Sequence, residues 1–125
     1  MNSKDKVAII EDDISIKDLY SLKLKREGYD VRAATDGVSG LKLIKEFLPD
    51  LIMLDLMMPV MTGDEMLEKM RTHDWAKNIR VIVLTNISKD EITTKLKPLD
   101  VDRYIVKADY TPKQIVELVK EVLAS

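Results

Sequence analysis

Apolar residues recur along this chain in short runs, at residues 7–10, 51–54, 79–84 and 104–106, three of them nearly continuous, with a weaker alternating stretch across residues 29–34. Short runs rich in Val, Ile and Leu predict β-strands. Where such a run lacks polar positions, both faces of the strand must be covered, as in a parallel sheet. Between the runs the apolar positions change to helical spacing: Ile16, Leu19 and Tyr20, then Leu41, Ile44 and Leu48, and finally Ile115, Leu118, Val119 and Val122. Helix starts are marked more locally. Thr62-Gly63-Asp64-Glu65, Ser88-Lys89-Asp90-Glu91 and Thr111-Pro112-Lys113-Gln114 each place Glu or Gln three positions after a hydroxyl residue. In that arrangement each side chain satisfies a free backbone N–H at the other residue, so helices are predicted to begin near residues 63, 89 and 112.

Five predicted strands thus alternate with five predicted helices. Strict alternation with short connections requires right-handed crossovers, which predicts an α/β fold: a parallel five-stranded sheet, doubly wound, with helices on both faces. The expected form is a (βα)5 flavodoxin-like three-layer sandwich with strand order 2-1-3-4-5. That order makes strands one and three neighbours at the point where the winding reverses. Ligand sites in such sheets lie at the carboxyl ends of the strands.

At those ends the chain changes character. The first run stops at Glu11-Asp12-Asp13, the third at Asp55, the fourth at Thr85 and the fifth at Lys107. Carboxylates brought together on adjacent strands repel by roughly 4 kcal/mol per pair at an effective dielectric of about 20, so the cluster calls for a cation. Oxygen donors without His or Cys select a hard ion, and few ligands with room for water favour magnesium (Mg2+) over calcium. Asp13 reads as the N-cap of the following helix, with a minor part at most in binding metal. A carboxylate beside a cation, a Lys and a Thr hydroxyl is equipped for in-line attack on phosphorus, which would convert Asp55 to an acyl phosphate. The charge spread over the equatorial oxygens could be met by the metal, Lys107, Thr85 and backbone N–H groups near Met57 and Asn86.

Composition removes several competing classes. The 125 residues suffice for one domain, residues 1–125, and include no cysteine, which excludes disulfides, thiolate catalysis and zinc–sulfur sites and makes a reducing cytoplasm the expected setting. No apolar run is long enough for a signal-peptide core or a membrane span. Twenty Lys and Arg against 22 Asp and Glu, dispersed along the chain, disfavour direct nucleic-acid binding. His73 reads as an exposed residue near the end of the third helix, not as a phospho-donor. Met53, Met57, Met58, Met61, Met66 and Met70 read as core and loop packing. A flavin carrier of the same architecture would need amide and hydroxyl donors for the flavin phosphate, where Glu11-Asp12-Asp13 would repel it. A phosphatase of the aspartyl-nucleophile type wants an acid two residues after the nucleophile, where Met57 stands.

Taken together, Ile9-Ile10-Glu11-Asp12-Asp13, Leu54-Asp55-Leu56-Met57-Met58-Pro59-Val60-Met61-Thr62-Gly63, Leu84-Thr85 and Tyr104-Ile105-Val106-Lys107 resemble the receiver domain of two-component response regulators, over essentially the whole chain. The resemblance implies that Asp55 accepts a phosphoryl group from a histidine-kinase phosphohistidine. It implies that Asp12 binds magnesium directly, Glu11 does so through water, and the Met57 backbone carbonyl is another ligand. Thr85 and Tyr104 would form a switch pair, Thr85 drawn toward the phosphoryl group and Tyr104 turning inward behind it. The face made by the fourth helix, fifth strand and fifth helix would then change shape and control partner binding. The implied partners are a histidine kinase or phosphotransfer protein and a downstream protein target, met by a monomer, with neither membrane nor nucleic acid involved. The only chemistry implied is the chain's own phosphotransfer and dephosphorylation. Since the sequence stops at Ser125, no output domain is expected, and the competing reading is a receiver-like interaction module that is never phosphorylated. Two departures from the family pattern stand out: Asn86 follows Thr85 where a small residue is usual, and Ala108 follows Lys107 where proline is usual. A cis bond at Lys107–Ala108 would cost about 3–4 kcal/mol, which leaves the placement of Lys107 open at the level of sequence.

Overall fold

The computed structural model describes residues 5–86 and 101–125. Strands β1 (Lys6–Ile10), β2 (Asp30–Ala34), β3 (Leu51–Leu54), β4 (Arg80–Thr85) and β5 (Arg103–Val106) pair in parallel in the order β2-β1-β3-β4-β5. This is the doubly wound order expected from the alternation of elements. Helices α1 (Ile14–Arg26), α2 (Gly37–Phe47) and α3 (Gly63–Arg71) and a C-terminal helix (Pro112–Ala124) cover the sheet. The helix predicted to start near residue 89, with its Ser88–Glu91 capping box, lies outside the described residues.

The nearly continuous apolar runs follow from burial on both faces. Ala8, Ile10, Ile52, Leu54, Val81 and Val83 pack toward Ile44 and Phe47 of α2 and Met66 and Met70 of α3. Their neighbours Val7, Ile9, Leu51, Met53, Ile82 and Leu84 point the other way, toward Tyr20 and Leu24 of α1 and Ile115 and Val119 of the C-terminal helix. At about 1.5–3 kcal/mol for each aliphatic side chain fully buried, the residues of β1, β3 and β4 contribute heavily to folding, and the strand ends at the sheet centre are anchored by that core.

Helix entry is set by side chains reaching back to the first free amides. Asp13 accepts from the Ile16 N–H at 3.1 Å, as expected of an N-cap. Thr62 with Glu65 and Thr111 with Gln114 form the two predicted capping boxes among the described residues. The strand boundaries differ from the apolar runs by at most one residue, and two strands, β4 and β2, start one residue late for local reasons. The Ile79 N–H donates to the Ala76 carbonyl and the Tyr29 N–H to the Leu24 carbonyl, so each closes the preceding turn instead of opening a strand. Leu48 leaves the helical stripe of α2 as a left-handed C-cap at φ 50°, and Leu19 of α1 is exposed. The inward face of α1 is Ile16, Tyr20 and Leu24, one turn apart, packed into the cluster on that side of the sheet.

Candidate functional site

The sheet's hydrogen bonding runs one residue past β3, toward β1, and one residue past β1, toward β2. The Asp55 N–H donates to the Ile10 carbonyl at 3.0 Å and the Glu11 N–H donates to the Ala34 carbonyl at 3.0 Å. Glu11 and Asp55 are thereby fixed side by side, only 3% and 5% exposed, while Asp12 faces solvent. One carboxylate oxygen from each of Glu11, Asp12 and Asp55 falls within 4.8 Å of the other two. The three residues named from the sequence as a metal-binding group are thus brought together. Their oxygen-only donor set fits a hard divalent cation, and exposed Asp12 leaves one side open to water ligands, which magnesium keeps.

Lys107 completes the cluster. Its Nζ lies 2.5 Å from Glu11 Oε1 and 3.2 Å from Asp55 Oδ2, with a side chain 12% exposed. No peptide bond among the described residues is cis, so Lys107 reaches both carboxylates from a trans bond to Ala108, in a short 3-10 turn over Lys107–Asp109. The other oxygens are held by amides two residues along: the Asp13 N–H donates to Glu11 Oε2 at 3.1 Å and the Met57 N–H donates to Asp55 Oδ1 at 3.1 Å. Each buried carboxylate is held by one amide, and the two share the Lys107 ammonium.

Burial pushes the Glu11 carboxyl up to about 7; Lys107 and the Asp13 N–H oppose the rise, and the Asp55 carboxylate adds to it. Burial pulls the Lys107 ammonium down, but its contacts with Glu11 and Asp55 outweigh this and leave it above the ordinary lysine value. A pH dependence follows. Without metal, between about 4.5 and about 7, the folded protein keeps the Glu11 proton that the unfolded chain has lost. The folded state then binds more protons, so stability falls as pH rises through that window, by at most about 1.4 kcal/mol per pH unit. A divalent cation held by this group would have to displace the same proton, so its affinity would rise with pH and level off above the Glu11 value. Calorimetric titration is expected to give a Kd about tenfold weaker at pH 6 than at pH 8; equal values would contradict this protonation state.

The turn after Asp55 depends on close backbone packing. Gly63, the first residue of α3, donates its N–H to the Leu56 carbonyl at 3.1 Å. A Cβ at Gly63 would stand 2.3 Å from the Asp55 carbonyl oxygen and 2.9 Å from Leu56 Cα, both backbone atoms that cannot swing aside. Within the turn, Val60 has φ 68° and the Met61 N–H donates to the Pro59 carbonyl at 2.8 Å, a tight three-residue turn that strains a β-branched residue.

Thr85 is fully buried at the end of β4, opposite Val106 of β5, with Asn86 exposed beyond it. Tyr104 lies on β5 opposite Val83 and packs, half-buried, against the core on the α2 and α3 side. His73 is exposed and stacks on Trp75 at 5.3 Å in the turn that leads into β4, at the sheet edge opposite the acid cluster. Tyr20 has a place at the site that its spacing alone did not reveal. It is buried in α1 and lines a small cavity together with Glu11 and Asp55. Burial raises its hydroxyl pKa, with Lys107 pulling it down and Glu11 pushing it up. The available signal was directional, since helical side chains lean toward the helix N-terminus and Tyr20 stands two turns beyond the Asp13 cap. No helix among the described residues is long and apolar enough to cross a membrane.

Comparison with known proteins agrees with this geometry. The family model of the response regulator receiver domain matches residues 7–120. The DNA-binding dual master transcriptional regulator RpaA of Synechocystis sp. is 36% identical over 121 residues, covering 95% of this chain and 48% of that protein. The alkaline phosphatase synthesis transcriptional regulatory protein PhoP of Bacillus subtilis is 33% identical over 120 residues, covering 94% of this chain and 48% of that protein. The chain therefore spans about half the length of these curated relatives. The structure of the Vibrio cholerae chemotaxis protein CheY4 superposes with a TM-score of 0.88 at 29% identity, covering 96% of this chain and 99% of that one. A match running from β1 into the C-terminal helix takes in every strand whose end supplies the acid cluster, and the chain belongs to the receiver domain family of two-component response regulators.

Proposed function

We propose that this receiver domain is a phosphoacceptor switch in which Asp55 is the nucleophile. The observation that carries the reading is the setting of Asp55: it is buried, in contact with Lys107, and within one cation's reach of Glu11 and Asp12. The amide and ammonium that hold Asp55 restrict its rotation and keep a carboxylate oxygen available for in-line attack. An Asp55 oxygen bonds to phosphorus as the phosphorus–nitrogen bond of a phosphohistidine breaks, and the imidazole leaves with the electron pair. Lys107 remains beside the oxygens on which charge accumulates. Asp12, Glu11, Asp55 and the Met57 backbone carbonyl are the proposed ligands of magnesium, which when bound supplies Lewis-acid stabilisation of the transferring phosphoryl group. The Met57 and Asn86 backbone amides are the proposed further contacts to that group.

Thr85 and Tyr104 are the proposed transmitters. Thr85 ends the strand beside β3, and Tyr104 is two residues short of the Thr85 partner Val106, so a shift of the hydroxyl toward a phosphoryl group is passed to β5. Response regulators work with histidine kinases and downstream targets, and their receiver domains are signalling domains instead of conventional enzymes. For this chain we assign a histidine kinase or phosphotransfer protein as donor and a protein target for the altered face, in a cytoplasmic setting and without direct nucleic-acid contact.

Incubation of the protein with acetyl phosphate and magnesium is expected to add one phosphoryl group, detected by intact mass and removed by hydroxylamine, as an acyl phosphate requires. EDTA is expected to prevent the addition. No mass gain in magnesium would favour the unphosphorylated interaction module.

A further inference from the structure

We propose that Met57 is a redox-sensitive modification site beside the acid cluster: a hydroperoxide oxidises it to the sulfoxide ahead of the core methionines, and phosphorylation of Asp55 slows as a result. The first half stands on burial; the second rests on the reading of Asp55 as the phosphoacceptor. The chain has seven methionines. Met53, Met58, Met66 and Met70 are at most 5% exposed and Met61 is half-buried, whereas Met57 is 60% exposed. Met1 lies outside the described residues. Oxidation of a thioether requires the oxidant to reach sulfur, so the fold shields the four core methionines and leaves Met57 open.

The backbone ties this side chain to the nucleophile. The Met57 N–H donates to Asp55 Oδ1 at 3.1 Å. Four covalent bonds separate that nitrogen from Sδ, so in every rotamer the sulfur stays within roughly 9 Å of the carboxylate oxygen. In the reaction a sulfur lone pair attacks one peroxide oxygen. The S–O bond forms as the O–O bond breaks, and the other oxygen leaves with the electron pair and collects the proton. Hydrogen peroxide is thereby reduced to water, and an uncharged apolar thioether becomes a polar sulfoxide. The sulfoxide oxygen carries partial negative charge. It adds to a group in which Glu11, Asp12 and Asp55 already face the single Lys107 ammonium. Phosphoryl donors are anions, so added negative potential beside Asp55 disfavours their approach. Packing is untouched, because Met57 lies outside the core, whereas a sulfoxide at Met53 or Met66 would disrupt it.

Brief treatment of the folded protein with hydrogen peroxide, followed by peptide mass mapping, tests the site without reference to activity. Met57 is expected to gain one oxygen about tenfold faster than Met53, Met58, Met66 or Met70, and the difference should vanish in urea. Equal rates in the folded protein overturn the proposal. Protein oxidised at Met57 should keep the urea midpoint of the untreated protein. It should be phosphorylated by acetyl phosphate and magnesium about three- to tenfold more slowly, a loss that methionine sulfoxide reductase reverses. Met57→Leu, treated identically and compared with its own untreated rate, is expected to show no such loss. A rate unaffected by full oxidation of Met57, or an equal loss in treated Met57→Leu, overturns the link to Asp55. Absence of phosphorylation in the untreated protein would instead overturn the reading of Asp55, while the mass map still decides whether Met57 is the site of oxidation.

Discussion

Asp55→Asn is expected to take up no phosphoryl group under conditions that fully modify the wild type. Asparagine keeps the shape of the side chain, and its Oδ1 can still accept the Met57 N–H that reaches Asp55 at 3.1 Å. What it lacks is the anionic oxygen that would form the proposed acyl phosphate, so the expected loss is complete, not graded. Folding should survive. One negative charge leaves a buried cluster in which the Asp55 carboxylate raises the Glu11 pKa, and Lys107 keeps its contact with Glu11. The Glu11 carboxyl should therefore titrate lower, and resistance to urea should be at least that of the wild type. Intact mass after acetyl phosphate treatment and a urea titration check both halves. Full modification of Asp55→Asn would identify another acceptor and remove Asp55 from the centre of the account.

Lys107→Ala is expected to be the second most damaging change, through two separable effects. The first is on stability without metal. The ammonium is the only cation shown against the two buried carboxylates among the described residues, at 2.5 Å and 3.2 Å. Removing one partner of a buried ion pair costs about 3–5 kcal/mol when the remaining charge is left uncompensated. The loss should be largest at pH 8 and smaller at pH 6, because Glu11, already raised to about 7 and raised further without Lys107, then carries its proton. Magnesium should restore part of the stability by taking over the compensation. The second effect is on rate: with one of the groups that meets charge on the phosphoryl oxygens gone, phosphorylation at saturating magnesium should fall by about 10²–10³-fold. Urea unfolding at the two pH values and single-turnover phosphorylation measure these effects. A rate within a few-fold of wild type would show that Lys107 only balances charge in the metal-free protein.

Much of this was legible in the residues because the features that set the fold are local and repeated. β1, β3 and β4 are apolar on both faces, so no phase of the period-two pattern is needed to recognise them. β2 was a weaker signal because it is an edge strand and leaves Arg32 in solvent. The N-cap and capping boxes are chemical signals in four residues, and those among the described residues are present. Ile79 and Leu48 were placed inside elements because hydrophobicity continues one residue beyond the backbone geometry there; a turn hydrogen bond in one case and a positive φ in the other ended the element.

At the site, Glu11, Asp12, Asp55 and Lys107 were legible because strand order converts distant positions into neighbours, and acids at a strand end stand out against an apolar run. The placement of Lys107 was not, since one sequence does not reveal whether the next bond is trans or how far the side chain reaches. Gly63 was visible as part of a capping box, but its approach to the Asp55 carbonyl is a packing fact between two segments. Tyr20 was hidden for the opposite reason: its ring satisfies the helical pattern so well that nothing marks it as lining a small cavity with Glu11 and Asp55.

The claim on which the rest depends is that a divalent ion joins acids from two adjacent strands. A crystal structure grown in magnesium tests it most directly. The account predicts a six-coordinate ion about 2.0–2.1 Å from oxygens of Asp12 and Asp55, with waters filling the open side and Lys107 withdrawn from at least one carboxylate. A structure in which Lys107 still bridges Glu11 and Asp55 at millimolar magnesium, with no ion between the strands, would contradict it.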